Sequence, residues 1–319
     1  MRDHGGNIDG AMARFGGSGW IDLSTGINRV PYPLPELQQA DWTMLPTTSA
    51  KAELLAAARK AYATAAPIVA VAGAQAAIQM IPRLQSPGRA RVLGPTYNEH
   101  AASLRAAGWQ VQEVARFGQL AGADLAIVVN PNNPDGRCQT PDDLLALAGQ
   151  VGRLVVDESF ADAQPELSLA SRAGQPGLMI LRSFGKFYGL AGVRLGFVIG
   201  GDTEIAALEE MAGPWPVNGA AIRIGVAALA DATWARATIL RLRAETAAAD
   251  ALAEAVGWQA LGGCELFRLY DTPDAERAQE RLARHQIWSR AFPYSRRWLR
   301  LGLPGGAAEW ARLAQALER

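Results

Sequence analysis

The sequence has few lysines, cysteines and histidines, and it has no excess of charge of either sign. Lys and Arg together number 31, and Asp and Glu together also number 31, so no overall charge attracts nucleic acid or an anionic membrane surface. Cys138 and Cys264 are the only cysteines, and neither lies in a metal-ligand spacing. These absences predict a protein of a reducing compartment, with no disulfide framework and no metal site.

Long apolar runs are absent as well. The uncharged stretch at residues 67–82 contains Gly73, Gln75 and Gln79 and is too short to span a bilayer. Residues 1–7 lack the apolar run of a signal peptide. A hydrophobic content of 49% with 19% charged residues is typical of a globular protein, and 319 residues are enough for two lobes. We therefore expect a soluble cytoplasmic protein that binds neither nucleic acid nor a membrane.

The scarcity of lysine makes Lys186 informative. Only three of the 31 basic residues are lysines, and Lys51 and Lys60 lie on an ordinary amphipathic stretch. Lys186 stands between glycines and aromatics in the segment Ser-Phe-Gly-Lys-Phe-Tyr-Gly (183–189), and Arg194 follows it. Such surroundings suit a partly desolvated amine whose neutral form attacks a carbonyl and forms a Schiff base. A lysine in a flexible surface loop is the alternative.

Apolar strands and amphipathic helices alternate from about residue 49 to residue 200. The segments 125–129 and 154–156 are apolar on both faces, and residues 74–84 and 98–107 have the pattern of helices. This alternation predicts an α/β fold with a mainly parallel sheet that is covered by helices on both sides.

The pattern changes after Gly200. Three helices follow, and the third, residues 234–256, is long enough to run from one lobe to another. Strands near residues 266–270 and 298–302 then alternate with helices, which indicates a smaller α+β unit. We predict an N-terminal segment over residues 1–30, a large domain over residues 31–232 and a small C-terminal domain over residues 233–319.

Polar residues follow two of the predicted strands, at the sheet edge where open α/β sheets bind ligands. Residues 73–75 (Gly-Ala-Gln) join a strand to a helix, and their backbone N–H groups can hold a phosphate. An ordinary turn is the alternative there. The turn at residues 130–134 (Asn-Pro-Asn-Asn-Pro) offers amide groups on a backbone restricted by two prolines. This density of constraints favours a functional turn over a plain loop.

Two charged residues lie where a charge is costly unless it is paired. Asp157 directly follows an apolar strand, where its carboxylate suits the protonated ring nitrogen of a cofactor. A helix N-cap is the alternative for Asp157. Arg300 lies inside the apolar segment 298–303, and its planar guanidinium suits the carboxylate of a ligand. An internal salt bridge is the alternative for Arg300.

In this chain order, the phosphate-binding turn, the asparagine turn, the acid, the lysine and the arginine resemble the fold-type I pyridoxal phosphate enzymes of the class I and II aminotransferase superfamily. The resemblance is nearest to the branch that contains the threonine-phosphate decarboxylases of cobalamin biosynthesis. It implies a pyridoxal 5'-phosphate cofactor, a phosphorylated amino acid as substrate, and a homodimer. The matching segments are His4-Gly5-Gly6-Asn7, residues 22–28, residues 94–97, the asparagine turn and residues 183–197.

The resemblance also implies roles for individual residues around the cofactor. Lys186 would bind the cofactor covalently and later act as acid or base, Asp157 would pair with the ring nitrogen, and Tyr97 would stack on the ring. Asn133 would bond the ring hydroxyl. For Tyr97, an ordinary half-buried aromatic residue is the alternative. The cofactor phosphate would be held by the backbone amides of Ala74 and Gln75 and by the side chains of Ser183 and Arg194.

Four further residues are implied in substrate binding. Arg300 would hold the substrate carboxylate, and Arg290 would contact the substrate phosphate. Asn28 and His4 would belong to the N-terminal segment, which would close over the active site. A solvated surface arginine is the alternative for Arg290, and a residue of a disordered end is the alternative for His4.

Two positions depart from the superfamily pattern. Phe160 stands where a tyrosine often contacts the ring hydroxyl, and Leu45 stands where a tyrosine often reaches the cofactor of the neighbouring subunit. The resemblance implies decarboxylation of L-threonine O-3-phosphate to (R)-1-amino-2-propanol O-2-phosphate. The first alternative is an aminotransferase that acts on a phosphorylated amino acid such as histidinol phosphate. The second alternative is a non-catalytic partner in corrinoid assembly.

Overall fold

The computed structural model describes residues 4–318 and divides the chain into two compact units. The large unit comprises Tyr32–Asn133 and Cys138–Ala235. The small unit comprises the chain up to Pro31, the short segment Pro134–Arg137 and the chain from Arg236 onward. The N-terminal residues therefore belong to the same unit as the C-terminal residues. The division into an N-terminal segment, a large domain and a small domain at the sequence boundaries given above stays a prediction.

The elements are numbered along the chain. The strands of the described residues are β1 (Ile21–Asp22), β2 (Ile68–Val71), β3 (Arg89–Leu93), β4 (Gln110–Val114), β5 (Leu125–Val129), β6 (Leu154–Asp157), β7 (Leu178–Ser183), β8 (Gly196–Ile199), β9 (Gln259–Cys264), β10 (Phe267–Asp271), β11 (Ile287–Trp288), β12 (Arg290–Phe292) and β13 (Ser295–Gly302). The α-helices are α1 (Ile8–Phe15), α2 (Ala40–Thr43), α3 (Thr48–Ala61), α4 (Ala74–Met80), α5 (Glu99–Ala106), α6 (Pro141–Ala148), α7 (Phe184–Phe187), α8 (Asp202–Ala212), α9 (Gly219–Ala230), α10 (Ala232–Ala255), α11 (Ala275–Ala283) and α12 (Ala307–Leu317).

The sheet of the large unit has seven strands in the order β2-β8-β7-β6-β5-β3-β4. β8 runs antiparallel to both of its neighbours, β2 and β7, and the remaining pairs are parallel. β2, β5, β6 and β8 are buried along their whole length, which is why their sequences are apolar without alternation. The predicted α/β fold with a mainly parallel sheet is confirmed.

One face of this sheet packs on a core that α4 and α5 complete. Val155 of β6 and Leu181 of β7 contribute to this core together with Ile78 of α4. Side chains alternate along a strand, so the residues two positions later, Asp157 and Ser183, lie on the same face. The carboxyl ends of two neighbouring parallel strands thus present a carboxylate and a hydroxyl to one side of the sheet.

The small unit contains a four-stranded antiparallel sheet in the order β12-β13-β10-β9. Its buried core includes Tyr270 of β10, Leu299 of β13, Leu282 of α11 and Leu313 of α12. β1 pairs in parallel with β11, so the N-terminal part of the chain is hydrogen-bonded to a strand from the C-terminal part.

Some elements differ from the sequence pattern. The helix predicted over residues 74–84 is shorter, because α4 ends at Met80 and a 3-10 turn, Ile81–Arg83, follows it. Pro82 has no N–H to donate to a helical hydrogen bond, so the α-helical pattern does not continue through it. The pattern also does not predict β9, because Gly262 and Gly263 lower its strand propensity. None of the helices within residues 4–318 is both long and apolar enough to cross a membrane.

Candidate active site

A cavity of about 170 Å³ opens in the large unit where strands β5, β6 and β7 end. Side chains from several separate parts of the chain line it, including Phe160 and Ser159, which follow β6. The cavity is also lined by every residue for which the sequence predicts contact with a cofactor, namely Ala74, Gln75, Tyr97, Asn133, Asp157, Ser183, Lys186 and Arg194.

Asp157 is a buried carboxylate held by three hydrogen bonds. It accepts from the backbone N–H of Ser159 at 2.9 Å and from the Ser159 hydroxyl, and one of its oxygens lies 2.8 Å from Nε2 of His100. Burial by itself raises the pKa of Asp157, but the bonds from His100 and Ser159 outweigh burial and bring the pKa below its ordinary value. Asp157 therefore keeps its negative charge inside a cavity wall.

Lys186 lies in the short helix α7, directly after β7. The neighbouring side chains of Phe184 and Phe187 are buried, so the helix is anchored on both sides of the lysine. A Cβ at Gly185 would lie 2.8 Å from Cα of Ala191, and only glycine permits this close approach. The Lys186 amine lies 5.5 Å from the ring centroid of Phe160, within the range of a cation–π interaction.

Two glycines allow close packing at the end of the cavity where α4 begins. A Cβ at Gly196 would lie 2.6 Å from the backbone nitrogen of Ala74. A Cβ at Gly73, whose φ is +76°, would lie 2.8 Å from Nη2 of Arg194. Backbone N–H groups and an exposed guanidinium therefore come together at this end. Such a donor set suits a phosphate group.

Tyr97 is oriented by a chain of hydrogen bonds. Nε2 of Gln75 donates to Glu99 at 3.2 Å, and the Tyr97 hydroxyl donates to Oε1 of Gln75 at 3.2 Å. A carboxylate only accepts hydrogen bonds, so Glu99 fixes which end of the Gln75 amide faces Tyr97.

The three asparagine side chains of the asparagine turn make different contacts. Asn130 bonds the backbone of Gln139 through both of its amide atoms. Asn132 accepts from the hydroxyl of Thr96 at 2.6 Å and donates to the carbonyl of Pro95 at 3.0 Å. Asn133 is the one of the three that lines the cavity.

Arg290 and Arg300, predicted to bind substrate, are cross-strand partners in the small unit, on β12 and β13. Arg300 is buried, donates to the carbonyl of Ser24 and lies 5.0 Å from the ring centroid of Phe267. Burial, reinforced by the positive charge of Arg290, lowers the pKa of Arg300 to about 10. Two guanidinium groups that face each other across a strand pair repel each other, and an anion bound to both offsets that repulsion.

The other two predicted substrate residues also belong to the small unit. Asn28 is buried, and its side-chain oxygen accepts from Nη2 of Arg241 at 2.8 Å and from the backbone N–H of Val30 at 3.1 Å. His4 is exposed. Within residues 4–318, no group of three or more His, Cys, Asp and Glu side chains is placed to hold a metal ion.

Comparison with known proteins identifies the family. The family described as aminotransferase class I and II matches residues 20–317. The chain belongs to this family. It is 44% identical to a threonine-phosphate decarboxylase from Sinorhizobium sp, over 99% of this chain and 97% of the relative. It is 42% identical to a threonine-phosphate decarboxylase from Pseudomonas aeruginosa, again over 99% of this chain and 97% of the relative.

Solved structures of the family share the fold. Histidinol-phosphate aminotransferase from Sinorhizobium meliloti, in complex with pyridoxal-5'-phosphate, aligns with a TM-score of 0.84 at 21% identity and covers 98% of this chain and 93% of that chain. L-threonine-O-3-phosphate decarboxylase from Porphyromonas gingivalis aligns with a TM-score of 0.74 at 20% identity, over 93% of this chain and 98% of that chain. At these identities the likeness shows the fold alone. The family match confirms the resemblance stated from the motifs.

In this member of the aminotransferase family, the structure adds three residues that the sequence analysis does not identify. His100 and Ser159 hold Asp157, and Glu99 orients Gln75. Ser159 carries a weak signal, because a hydroxyl two residues after an acid commonly bonds back to it. His100 and Glu99 carry none, because their partners are remote in the sequence.

Proposed function

We propose that the chain is a pyridoxal phosphate-dependent decarboxylase of L-threonine O-3-phosphate, with (R)-1-amino-2-propanol O-2-phosphate and carbon dioxide as products. The observation that carries this function is identity of 44% and 42%, over nearly the whole of both chains, to two threonine-phosphate decarboxylases. The matching family and the cavity of the large unit support it.

The cavity has the groups that pyridoxal phosphate requires. Lys186 supplies an amine for covalent attachment, and Asp157 supplies a buried carboxylate for the ring nitrogen. The open turn at Gly73 and the guanidinium of Arg194 supply donors for the phosphate. Asn133 lines the cavity wall and would be a partner for the ring hydroxyl. When bound, the cofactor supplies an electron sink for bonds at the α-carbon of an amino acid.

Side chains of the protein would stabilise charge on the cofactor and supply the proton that the reaction needs. Asp157 retains its negative charge because His100 and Ser159 bond it, so it stabilises a positive charge on the atom that it faces. We assign to the Lys186 amine the proton that replaces carbon dioxide. The reaction balances with one C–C bond broken, carbon dioxide released and one proton gained at the α-carbon.

The arginine pair of the small unit suits the substrate. Threonine phosphate carries a carboxylate and a phosphate, and Arg300 and Arg290 offer one guanidinium for each. Holding the carboxylate fixes the orientation of the bond that breaks, whereas an aminotransferase breaks the C–H bond at the same carbon. We therefore propose that Arg300 positions the carboxylate for its loss.

A homodimer, a cytoplasmic location and a place in cobalamin biosynthesis complete the proposal. Exposed apolar side chains support the homodimer, because four of those in the large unit lie within residues 34–45 and a dimer interface would cover them. Sedimentation of the wild type and of Trp42→Glu tests it, and a monomeric wild type would contradict it. The exposed apolar side chains of the large unit are Leu34, Trp42, Met44, Leu45, Met211 and Trp215.

The two alternatives receive less support. Histidinol-phosphate aminotransferases from Cronobacter sakazakii and Vibrio parahaemolyticus are 31% and 29% identical to this chain, over 64% and 82% of it. A non-catalytic partner does not require the cavity to keep Lys186, Asp157 and Asn133 together.

Mass spectrometry of reaction products tests the function. The pure protein, pyridoxal phosphate and L-threonine O-3-phosphate are incubated with and without 2-oxoglutarate. We expect aminopropanol phosphate without the keto acid, and none from Lys186→Ala. Glutamate that forms only with the keto acid would establish an aminotransferase instead, and no turnover in either tube would contradict the proposed substrate.

A further inference from the structure

A buried cluster of charged side chains lies on the face of the large-unit sheet opposite the cavity, and the proposed reaction does not use it. Arg182 precedes Ser183 in β7, so its side chain points away from the cavity that Ser183 lines. Its guanidinium lies 4.4 Å from the ring centroid of Tyr62, which packs edge-on against Phe197 of β8. Arg182 is only 3% exposed, so its partners must compensate for the loss of water.

Those partners are two carboxylates four residues apart. Nη1 of Arg182 lies 2.7 Å from Glu158, and Nη2 lies 2.7 Å from Asp162. Glu158 is fully buried and also accepts from the backbone N–H of Leu169 at 2.7 Å and from the hydroxyl of Ser168. One guanidinium therefore joins both ends of the segment 158–162.

The same segment presents other side chains to the cavity. Ser159 and Phe160 line the cavity wall, and Ser159 donates two hydrogen bonds to Asp157. The centroid of the Phe160 ring lies 5.5 Å from the Lys186 amine. The segment thus turns Glu158 and Asp162 toward the charged cluster, and turns Ser159 and Phe160 toward the cavity.

Neither a strand nor an α-helix spans this segment. It begins directly after β6, and its last two residues, Ala161 and Asp162, lie in a 3-10 turn, Ala161–Ala163. Its backbone bonds run from Glu158 to the carbonyl of Leu181 and from Ala161 to the carbonyl of Glu158, and the side-chain bonds to Arg182 add support on both sides of Phe160. A buried ion pair often adds little to stability compared with apolar packing, so this cluster is better explained by the geometry that it imposes.

We propose that Arg182 is a positioning residue for the cofactor site: by bridging Glu158 and Asp162 it holds Phe160 at the cavity wall beside Lys186. The inference rests on the proposed function to the extent that the cavity takes pyridoxal phosphate. Loss of this support increases the freedom of the wall that the cofactor contacts. Outer partners of metal ligands have a comparable effect, and their removal weakens binding about 10- to 100-fold.

Cofactor affinity, measured apart from turnover, tests the proposal. The cofactor-free protein is titrated with pyridoxal phosphate, and quenching of tryptophan fluorescence gives the Kd. At a fixed cofactor concentration, borohydride reduction followed by peptide mass spectrometry gives the fraction of Lys186 that is modified. We expect Arg182→Met to raise the Kd about 10-fold or more and to lower the modified fraction.

Arg153 provides a matched control within the same unit. Its buried guanidinium lies 3.6 Å from Glu204, and neither residue lines the cavity. Arg153→Met should lower the melting temperature and leave the Kd unchanged. If Arg182→Met does not fold, Asp162→Asn removes one arm of the bridge and should raise the Kd by a smaller factor.

A double-mutant cycle tests the route through Phe160. Phe160→Leu removes the ring that Arg182 is proposed to hold, so Arg182→Met should add little to the Kd in that background. An equal rise in Kd with and without the Phe160 ring would overturn the inference, and so would a lowered melting temperature with an unchanged Kd. A wild-type protein that does not bind pyridoxal phosphate would instead refute the proposed function.

Discussion

The cavity of the large unit favours the charged form of its buried acid, whereas the arginine pair of the small unit disfavours the charged form of its buried arginine. Asp157 in the cavity wall is surrounded by donors that stabilise its negative charge. Arg300 in the small unit is buried opposite another arginine, and both burial and that neighbour disfavour its positive charge. The first site has its charge compensated within the protein. In the second, the carbonyl of Ser24 and the charge of Asp22 offset part of the cost of the Arg300 charge, and we propose that a bound anion offsets the repulsion between the two arginines.

The largest expected effect comes from the cavity itself. Lys186→Ala removes the amine that is proposed to attach the cofactor and to move the proton, so product formation should fall about 1,000-fold or more. Product is measured by mass spectrometry. Lys60→Ala, at an exposed lysine, is the control and should retain full activity. Residual turnover in Lys186→Ala near the wild-type rate would remove Lys186 from the proposed mechanism.

The arginine pair should show the next largest effect. Arg300→Gln removes the guanidinium proposed for the substrate carboxylate, and kcat/KM should fall about 100-fold, because a buried partner of a charged group is lost. Steady-state kinetics with threonine phosphate measures it. Arg297→Gln is the control on the same strand, since Arg297 is exposed and pairs with Asp271. Equal losses of kcat/KM in both variants would show that Arg300 supports the structure of the strand and does not bind the carboxylate.

Ligand-dependent stability sharpens the comparison between the two sites. Threonine phosphate should raise the melting temperature of the wild type, and Arg300→Gln should show a much smaller rise, because the variant lacks the guanidinium proposed to bind the substrate carboxylate. Differential scanning fluorimetry in saturating pyridoxal phosphate measures both. An identical rise in the two proteins would place the anion elsewhere.

Replacement of His100 should have a smaller effect than replacement of Lys186 or Arg300. His100→Phe leaves the Asp157 carboxylate buried without its ring partner, and a hydrogen bond to a charged group contributes about 1.5–3 kcal/mol. We expect the Kd for pyridoxal phosphate to rise about tenfold or more. His285→Phe, at a half-exposed histidine of the small unit, should leave the Kd unchanged. An unaltered Kd in His100→Phe would show that Ser159 alone holds Asp157.

The smallest effect should appear as a pH dependence of stability. The pKa of Asp157 is lower in the folded protein than its ordinary value of 3.8, so the folded state favours the ionised form. The resulting stabilisation is present above pH 4 and is lost as the pH falls through the folded-state pKa. Urea unfolding measures the difference in the free energy of unfolding between the wild type and Asp157→Asn. This difference should become smaller as the pH falls from 6 to 3. If the difference became larger as the pH falls, the pKa of Asp157 would be raised by folding and not lowered.

Some of these residues could be predicted because their signal is local. Asp157 ends a strand of buried apolar residues, and Lys186 lies in a glycine- and aromatic-rich turn after another strand. The carboxyl ends of parallel strands meet at one edge of a sheet, so strand order was not needed to expect these residues near each other. The family match and the cavity agree with that expectation, while the individual roles of the residues stay predictions.

The α/β fold and the candidate residues at the strand ends could be predicted from the sequence, because burial on both faces of a strand and the residues of a turn produce patterns within short stretches of chain. Which distant polar groups contact each other depends on how the helices and strands pack. His100 reaches Asp157 through the packing of α5, and Arg290 faces Arg300 through a register that includes an irregularity after Ala291. A one-residue change of register would turn a strand's side chains to the other face, and no local pattern reports that choice.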